Sequence, residues 1–484
     1  MAAAVTIARD EWGVPHIFAD SDAAVAFGLA YAQAEDDFWQ IEEEYLHALG
    51  RASHWYGERY LASDLVQAVF EVERLSREEY EREPADRRAV WDAFAAGLNY
   101  YIATAGVRPR LITNYEPWMP FALARSIPAG TTIDGVQLGV TPDAVGRRIQ
   151  LVGIWADSAE SGSNLTSERI NSASVLRAVG MWAAAPSRTE AGRALLLHHQ
   201  TGDFFGNGKP YEMLLHSDDG WHVRGFVVQG APVPAGGHNP RLAWSHAPAD
   251  ADATDVYRVT FDHPADPLMY RFDGEWRSAV EWEDTLLVNS PAGVVRRVFR
   301  FRRTHHGPVV ADREGVALAM RVARMEEGGL LQQLYAESRS RSLDEFRTAL
   351  DQRALTSSTM YADVEGNILY VHGSAVPARD TAEDWSAPVD GSSSATAWRG
   401  YHALVDLPQI LNPSSGWIRY TGAGAFDVSA PGDNPDSAAF PRYMSPLTDG
   451  SRVRGVRAVQ AVRTARAARR LLAADAAWTL EEWA

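Results

Sequence analysis

Two adjacent histidine pairs, His198-His199 and His305-His306, are the first candidates for metal or proton chemistry. Neighbouring side chains on a strand point to opposite faces, so such pairs make poor metal clips and read as structural or surface residues. Asp252 and Asp255, with the carbonyl of Thr254 between them, are oxygen donors of the kind hard cations take. In a chain of formal net charge -17 the same residues are also an acidic turn. Gly162-Ser163-Asn164 carries a hydroxyl in ordinary loop composition. The chain has no cysteine, which excludes a thiol nucleophile, disulfides and thiolate metal sites. Glu42-Glu43-Glu44 reads as a solvated helix face.

Helical and stranded segments must position these groups. Ser21 or Asp20 caps a predicted helix on which Phe27, Tyr31, Ala34, Phe38, Ile41 and Tyr45 recur at three- and four-residue steps. Helical, charge-rich sequence continues to about Ala105. From about Met181 the texture turns to strands. Val298 to Arg302 alternates Phe and Arg, so one face is buried and the other wet. Ser342 and Glu345 form a capping box ahead of Leu343, Phe346 and Leu350. Residues 361–373 read as a hairpin turning at Glu365 to Asn367. Helices followed by strands predict an α+β chain. It divides into a helical region 1–156, a linker-like segment 157–178 and a β-rich region 179–484.

Composition narrows the partners. Hydrophobic residues make up 46% of 484, enough for a large core. The acidic balance disfavours nucleic acid and anionic membranes. The basic stretch Arg457 to Arg470, interleaved with Ala and Val, reads as a solvated helix face. No apolar run reaches a membrane span, and the N-terminus has no signal-peptide pattern, so the expectation is a cytoplasmic protein.

Several motifs, in order, resemble the penicillin acylases among the N-terminal-nucleophile amide hydrolases. Arg9-Asp10, Gly13-Val14-Pro15-His16-Ile17, Tyr31-Ala32-Gln33-Ala34-Glu35-Asp36 and Glu116-Pro117-Trp118 look like the family's small chain. Gly237-His238-Asn239, Ala243-Trp244, Asp252-x-x-Asp255, His306-Gly307-Pro308, Tyr361-Ala362-Asp363, Trp398-x-Gly400 and Asn412-Pro413 are similar to its large chain. The resemblance implies a four-layer αββα sandwich and a precursor that cuts itself, leaving an N-terminal serine whose own amine is the base. An Asn side chain and a backbone N–H hold the oxyanion in that scheme. It also implies a structural calcium at Asp252, Thr254 and Asp255, and places Arg379 near the active site. No organic cofactor is implied.

The sequence departs from this pattern where the chemistry lies. Trp182 takes the place of the large chain's first Trp, so Val179 and Gly180 stand where the family has Ser and Asn. Valine has no nucleophilic atom. Ser358 takes the position of the oxyanion Asn. The expected reading is a protein that binds an acylated amine or a related small-molecule amide without hydrolysing it. The alternative is an active acylase with Ser163 as nucleophile, cut near residue 162. The family's large chain runs past the point matching Ala484, so either the gene is truncated or a second polypeptide supplies the rest.

Overall fold

The computed structural model describes residues 1–126, 132–133, 136–138, 153–155, 178–201, 208–313, 316–422 and 424–446. Eight α-helices fall among them: α1 (Asp22–Ala48), α2 (Ala52–Tyr56), α3 (Leu61–Val69), α4 (Val72–Arg82), α5 (Ala85–Ala105), α6 (Met119–Arg125), α7 (Leu330–Arg339) and α8 (Leu343–Leu350). The start of α1 follows the expected cap, with Ser21 Oγ accepting from Ala24 N at 3.2 Å. Helix α5 lies hard against α1 because position 97 is glycine. A Cβ there would stand 2.3 Å from the carbonyl oxygen of Phe27.

The main sheet has nine strands, in the order Val5–Arg9, Pro15–Ala19, Pro210–Ser217, His222–Val228, Gly236–His238, Leu242–Ala247, Ser358–Asp363, Ile368–Val371 and Gln409–Leu411. Pairing is antiparallel except between Pro15–Ala19 and Pro210–Ser217. The first two strands therefore tie the N-terminal region into the sheet built by the later chain. Side chains alternate along each strand and divide the sheet into two apolar faces. Ile17, Met213, Leu215, Val227, Trp244, Tyr361 and Leu369 join the helices in one core with Val25, Leu29, Tyr45, Trp91 and Phe94. Met360, Ala362, Ile368 and Tyr370 point the other way, onto Met181, Ala183, Ile418 and Tyr420. Those four belong to a three-stranded antiparallel sheet ordered Trp417–Tyr420, Ala178–Ala184, Leu195–Thr201. Helices thus cover one face of the large sheet, and the small sheet covers part of the other.

A six-stranded sheet runs Val280–Ser290, Gly293–Thr304, Gly307–Arg313, Val316–Val322, Thr254–Thr260 and Val389–Asp390. Phe299 and Phe301 are buried in it while Arg300 is exposed, as the alternation predicts. The capping box holds in altered form. Ser342 Oγ accepts from Glu345 N, and the Glu345 carboxylate reaches Arg341 N. The architecture is α+β, and among the described residues no helix is long and apolar enough to cross a membrane.

Two expectations fail. His305 and His306 occupy the two-residue turn before Gly307, not a strand, and their ring centroids are 3.8 Å apart. A turn lets neighbouring side chains converge where a pleat would oppose them. One nitrogen of each ring is engaged, His305 Nδ1 with Tyr270 OH at 2.8 Å and His306 Nε2 with Gly391 O at 2.9 Å. Burial depresses the pKa of both, to about 4 for His305 and about 3 for His306. The second failure is Glu42-Glu43-Glu44. Glu42 is fully buried and Glu44 nearly so. The Glu42 carboxylate accepts the backbone N–H groups of Arg110, Leu111 and Ile112 at 2.9–3.1 Å. A charge that receives three donors tolerates burial that a solvated face would not impose.

Candidate functional site

The strand Ala178–Ala184 carries Val179, Gly180 and Trp182, and its surroundings are the candidate site. Val179 pairs with Gln200, Gly180 with His199, Met181 with His198 and Trp182 with Leu197. The indole of Trp182 folds back over Gly180. A Cβ on residue 180 would stand 2.1 Å from Trp182 Cη2, so a side chain there requires the indole to move. Across the strand pair, His198 Nδ1 meets Ser245 Oγ, and its ring stacks on Phe226 at 5.3 Å. Ser163 lies outside the described residues.

Ser358 begins the strand that packs against this element, and it is fully buried. Its Oγ lies 3.2 Å from Tyr370 OH and 3.1 Å from His372 Nδ1. Tyr370 OH is itself 2.6 Å from His372 Nδ1. On the ring's other side, His372 Nε2 approaches Asp250 Oδ1 at 2.8 Å, and Ser445 Oγ bonds the same carboxylate at 3.0 Å. Tyr370 and His372 converge because residues two apart on a strand share a face. Ser358 Oγ sits in a solvent-free array within hydrogen-bond distance of Tyr370 OH and His372 Nδ1, so its hydroxyl is a structural partner of both.

Arg379, Asp252 and Asp255 do come together. Arg379 Nε–H donates to Asp255 Oδ2 at 2.7 Å and Nη1–H to the Asp252 carbonyl at 2.8 Å. Nη2 lies 3.5 Å from Asp252 Oδ1. Trp398 Nε1–H also donates to Asp255 Oδ2. Burial raises the pKa of both carboxylates, against the opposing pull of the Arg379 guanidinium. Thr254 contributes its N–H to Asp252 Oδ1 at 3.3 Å and starts the strand Thr254–Thr260.

A cavity of about 200 Å³ lies between α1, α3, α6, α7 and the connection after His222–Val228. Leu123, Val228, Val233, Leu331 and Leu334 give it apolar walls, and Glu44 is its acidic group. Burial pushes the Glu44 carboxyl up to about 7, although Gly208 N–H at 2.5 Å and Gln40 Nε2 at 3.0 Å favour its ionised form. This carboxyl is therefore partly protonated at neutral pH and able to donate as well as accept.

A family model described as penicillin amidase matches residues 4–484. The chain belongs to the penicillin amidase family. Penicillin acylase 2 proenzyme of Pseudomonas sp. (strain SE83) is 26% identical over 470 residues, covering 86% of this chain and 58% of the relative. Acyl-homoserine lactone acylase PvdQ of Pseudomonas fluorescens (strain Pf0-1) is 26% identical over 443 residues, covering 84% of this chain and 57% of its own. Penicillin G acylase of Escherichia coli is 22% identical, with coverages of 86% and 58%. The chain thus spans less than three fifths of the length of these relatives. A solved Alcaligenes faecalis penicillin G acylase aligns with a TM-score of 0.45 at 25% identity, over 50% of this chain and 43% of that one.

The Arg379 guanidinium already stands between the two carboxylates. Asp255 Oδ1 is buried and has no hydrogen-bond partner among the described residues. No three His, Cys, Asp or Glu converge as metal ligands among the described residues.

Sequence reasoning missed Asp250, Tyr370 and His372, and the cavity carboxylate Glu44. The Tyr370-x-His372 spacing on a strand was a readable signal for a shared polar face. Nothing local pointed to Asp250, which lies 122 positions before His372.

Proposed function

We propose that this penicillin amidase family member binds acylated amines or related amides and neither cuts its own chain nor hydrolyses its ligand. The observation that carries this reading is the Gly180–Trp182 packing. The Trp182 indole lies where a side chain at the family's Asn position would begin, which supports the register that puts Val179 at the nucleophile position. Ser358 at the oxyanion position adds to it, because its hydroxyl is committed to Tyr370 and His372. Losing one oxyanion donor alone typically costs about a hundredfold or more in turnover.

The apolar cavity beside Glu44 is the assigned acyl pocket in this reading, with the partly protonated carboxyl meeting a polar group of the ligand. The charge compensation that calcium would give at Asp252 and Asp255 is assigned to Arg379. The fold is assigned to the four-layer αββα sandwich.

The test is a series of N-acyl amino acids of increasing chain length, with binding followed by calorimetry and amine release by an amine-reactive dye. The expected result is affinity rising about fourfold per added methylene, the equivalent of about 0.8 kcal/mol each, with no amine released. Catalytic release of amine, abolished by Ser163→Ala, establishes the self-cutting acylase instead. Affinity independent of chain length removes the acyl-pocket assignment.

A further inference from the structure

We propose that His216 and His222 form a clip for a first-row divalent metal ion, with Cu2+ the tightest ligand and water filling the remaining coordination positions. The two residues face each other across the antiparallel strands Pro210–Ser217 and His222–Val228. Ser217 N–H bonds the Trp221 carbonyl at 3.0 Å and closes the hairpin. The next pair along, His216 and His222, is then a non-hydrogen-bonded pair, the type whose side chains stand closer together.

Their ring centroids are 4.2 Å apart, with planes inclined at 49°. Two imidazoles bound side by side to one ion, each with a metal–nitrogen distance of about 2 Å, bring their centroids to about 4–5 Å. The observed centroid separation of 4.2 Å falls within that range. Imidazole is a borderline ligand that suits copper, zinc and nickel, and copper leads that series in intrinsic affinity.

The scaffold under the pair is rigid. Leu215 and Val223, beside the two histidines, are buried in the helix-facing core. Trp221 is fully buried, with its Nε1–H donating to Ser338 Oγ at 2.9 Å. The histidines themselves project to the opposite face, where His216 is exposed and His222 half-buried. Phe18 flanks His216 at 5.5 Å. His222 Nδ1 is buried without a hydrogen-bond partner. Partial burial, then His216 and Arg341, pull the His222 pKa down against Asp218. The His305-His306 pair is equally close but has a nitrogen of each ring committed to Tyr270 or Gly391, so it serves as the control.

The experiment uses the full 484-residue chain without a histidine tag, titrated with Cu2+ and followed by calorimetry and electron paramagnetic resonance. One equivalent is expected to bind with hyperfine coupling from two imidazole nitrogens. His216→Gln and His222→Gln are each expected to weaken binding by about tenfold or more, because the second imidazole acts at high effective concentration. His305→Gln is expected to bind as the parent does. Metal-free melting curves confirm folding, and the exposed His216 variant decides if His222→Gln is unfolded. Equal affinity in the parent and in the His216→Gln/His222→Gln double variant overturns the proposal, as does a loss confined to His305→Gln.

Discussion

Glu44→Gln isolates one buried ionisation. In the native chain the Glu44 pKa rises from 4.5 to about 7, chiefly because burial penalises the charged carboxylate. An unfolded glutamate has the lower value. Between these two pH values the native state keeps a proton that the unfolded state has released, so native stability falls as pH rises. Below about 4.5 both states are protonated and the penalty is absent. Above about 7 it is complete, and the shift corresponds to roughly 3 kcal/mol. Glutamine keeps the shape and can accept from Gly208 N–H, but never ionises. Urea unfolding of parent and variant at pH 5 and pH 8 gives the comparison. The variant is expected to gain little at pH 5 and up to roughly 3 kcal/mol at pH 8. A stability difference that is the same at both pH values, or that favours the parent at pH 8, refutes the assignment of a strained carboxylate in the cavity wall.

Three further perturbations probe the polar sites. Arg379→Met leaves buried Asp255 and half-buried Asp252 without their cation and is expected to cost about 3–5 kcal/mol in urea unfolding. In the parent, neither calcium nor a chelator should move the melting midpoint, and a drop on chelation would reinstate calcium at this loop. Tyr370→Phe removes the hydroxyl between Ser358 and His372 and should cost about 1–3 kcal/mol, with no loss of ligand affinity in calorimetry. Ser342→Ala deletes the cap of α8 and should cost about 1 kcal/mol by the same unfolding assay.

Local signals carried through to the structure. The Ser21 and Ser342 caps, the hairpin at 361–373 and the Phe299/Phe301 alternation each depend on residues a few positions apart, and each formed as read. Long-range partners were not legible. Arg379 meets Asp252 and Asp255 from 127 and 124 positions away, so spacing gave no hint that a guanidinium would sit in the acidic turn. Polar sequence also concealed burial. Glu42 and Glu44 look solvated until the backbone donors at 110–112 and Gly208 are brought to them by tertiary packing. The histidine pair at 305–306 failed because two residues of turn replaced a pleat, and one residue of boundary error reverses which way a side chain points.

The central claim is that the strand beginning at Ala178 carries no residue able to cleave the chain or its ligand. The direct measurement is the intact mass of the purified 484-residue chain under denaturing conditions, with amino-terminal sequencing of every species present. The account predicts one uncut species of 53.2 kDa. Two fragments, one of them beginning at Ser163, would contradict it.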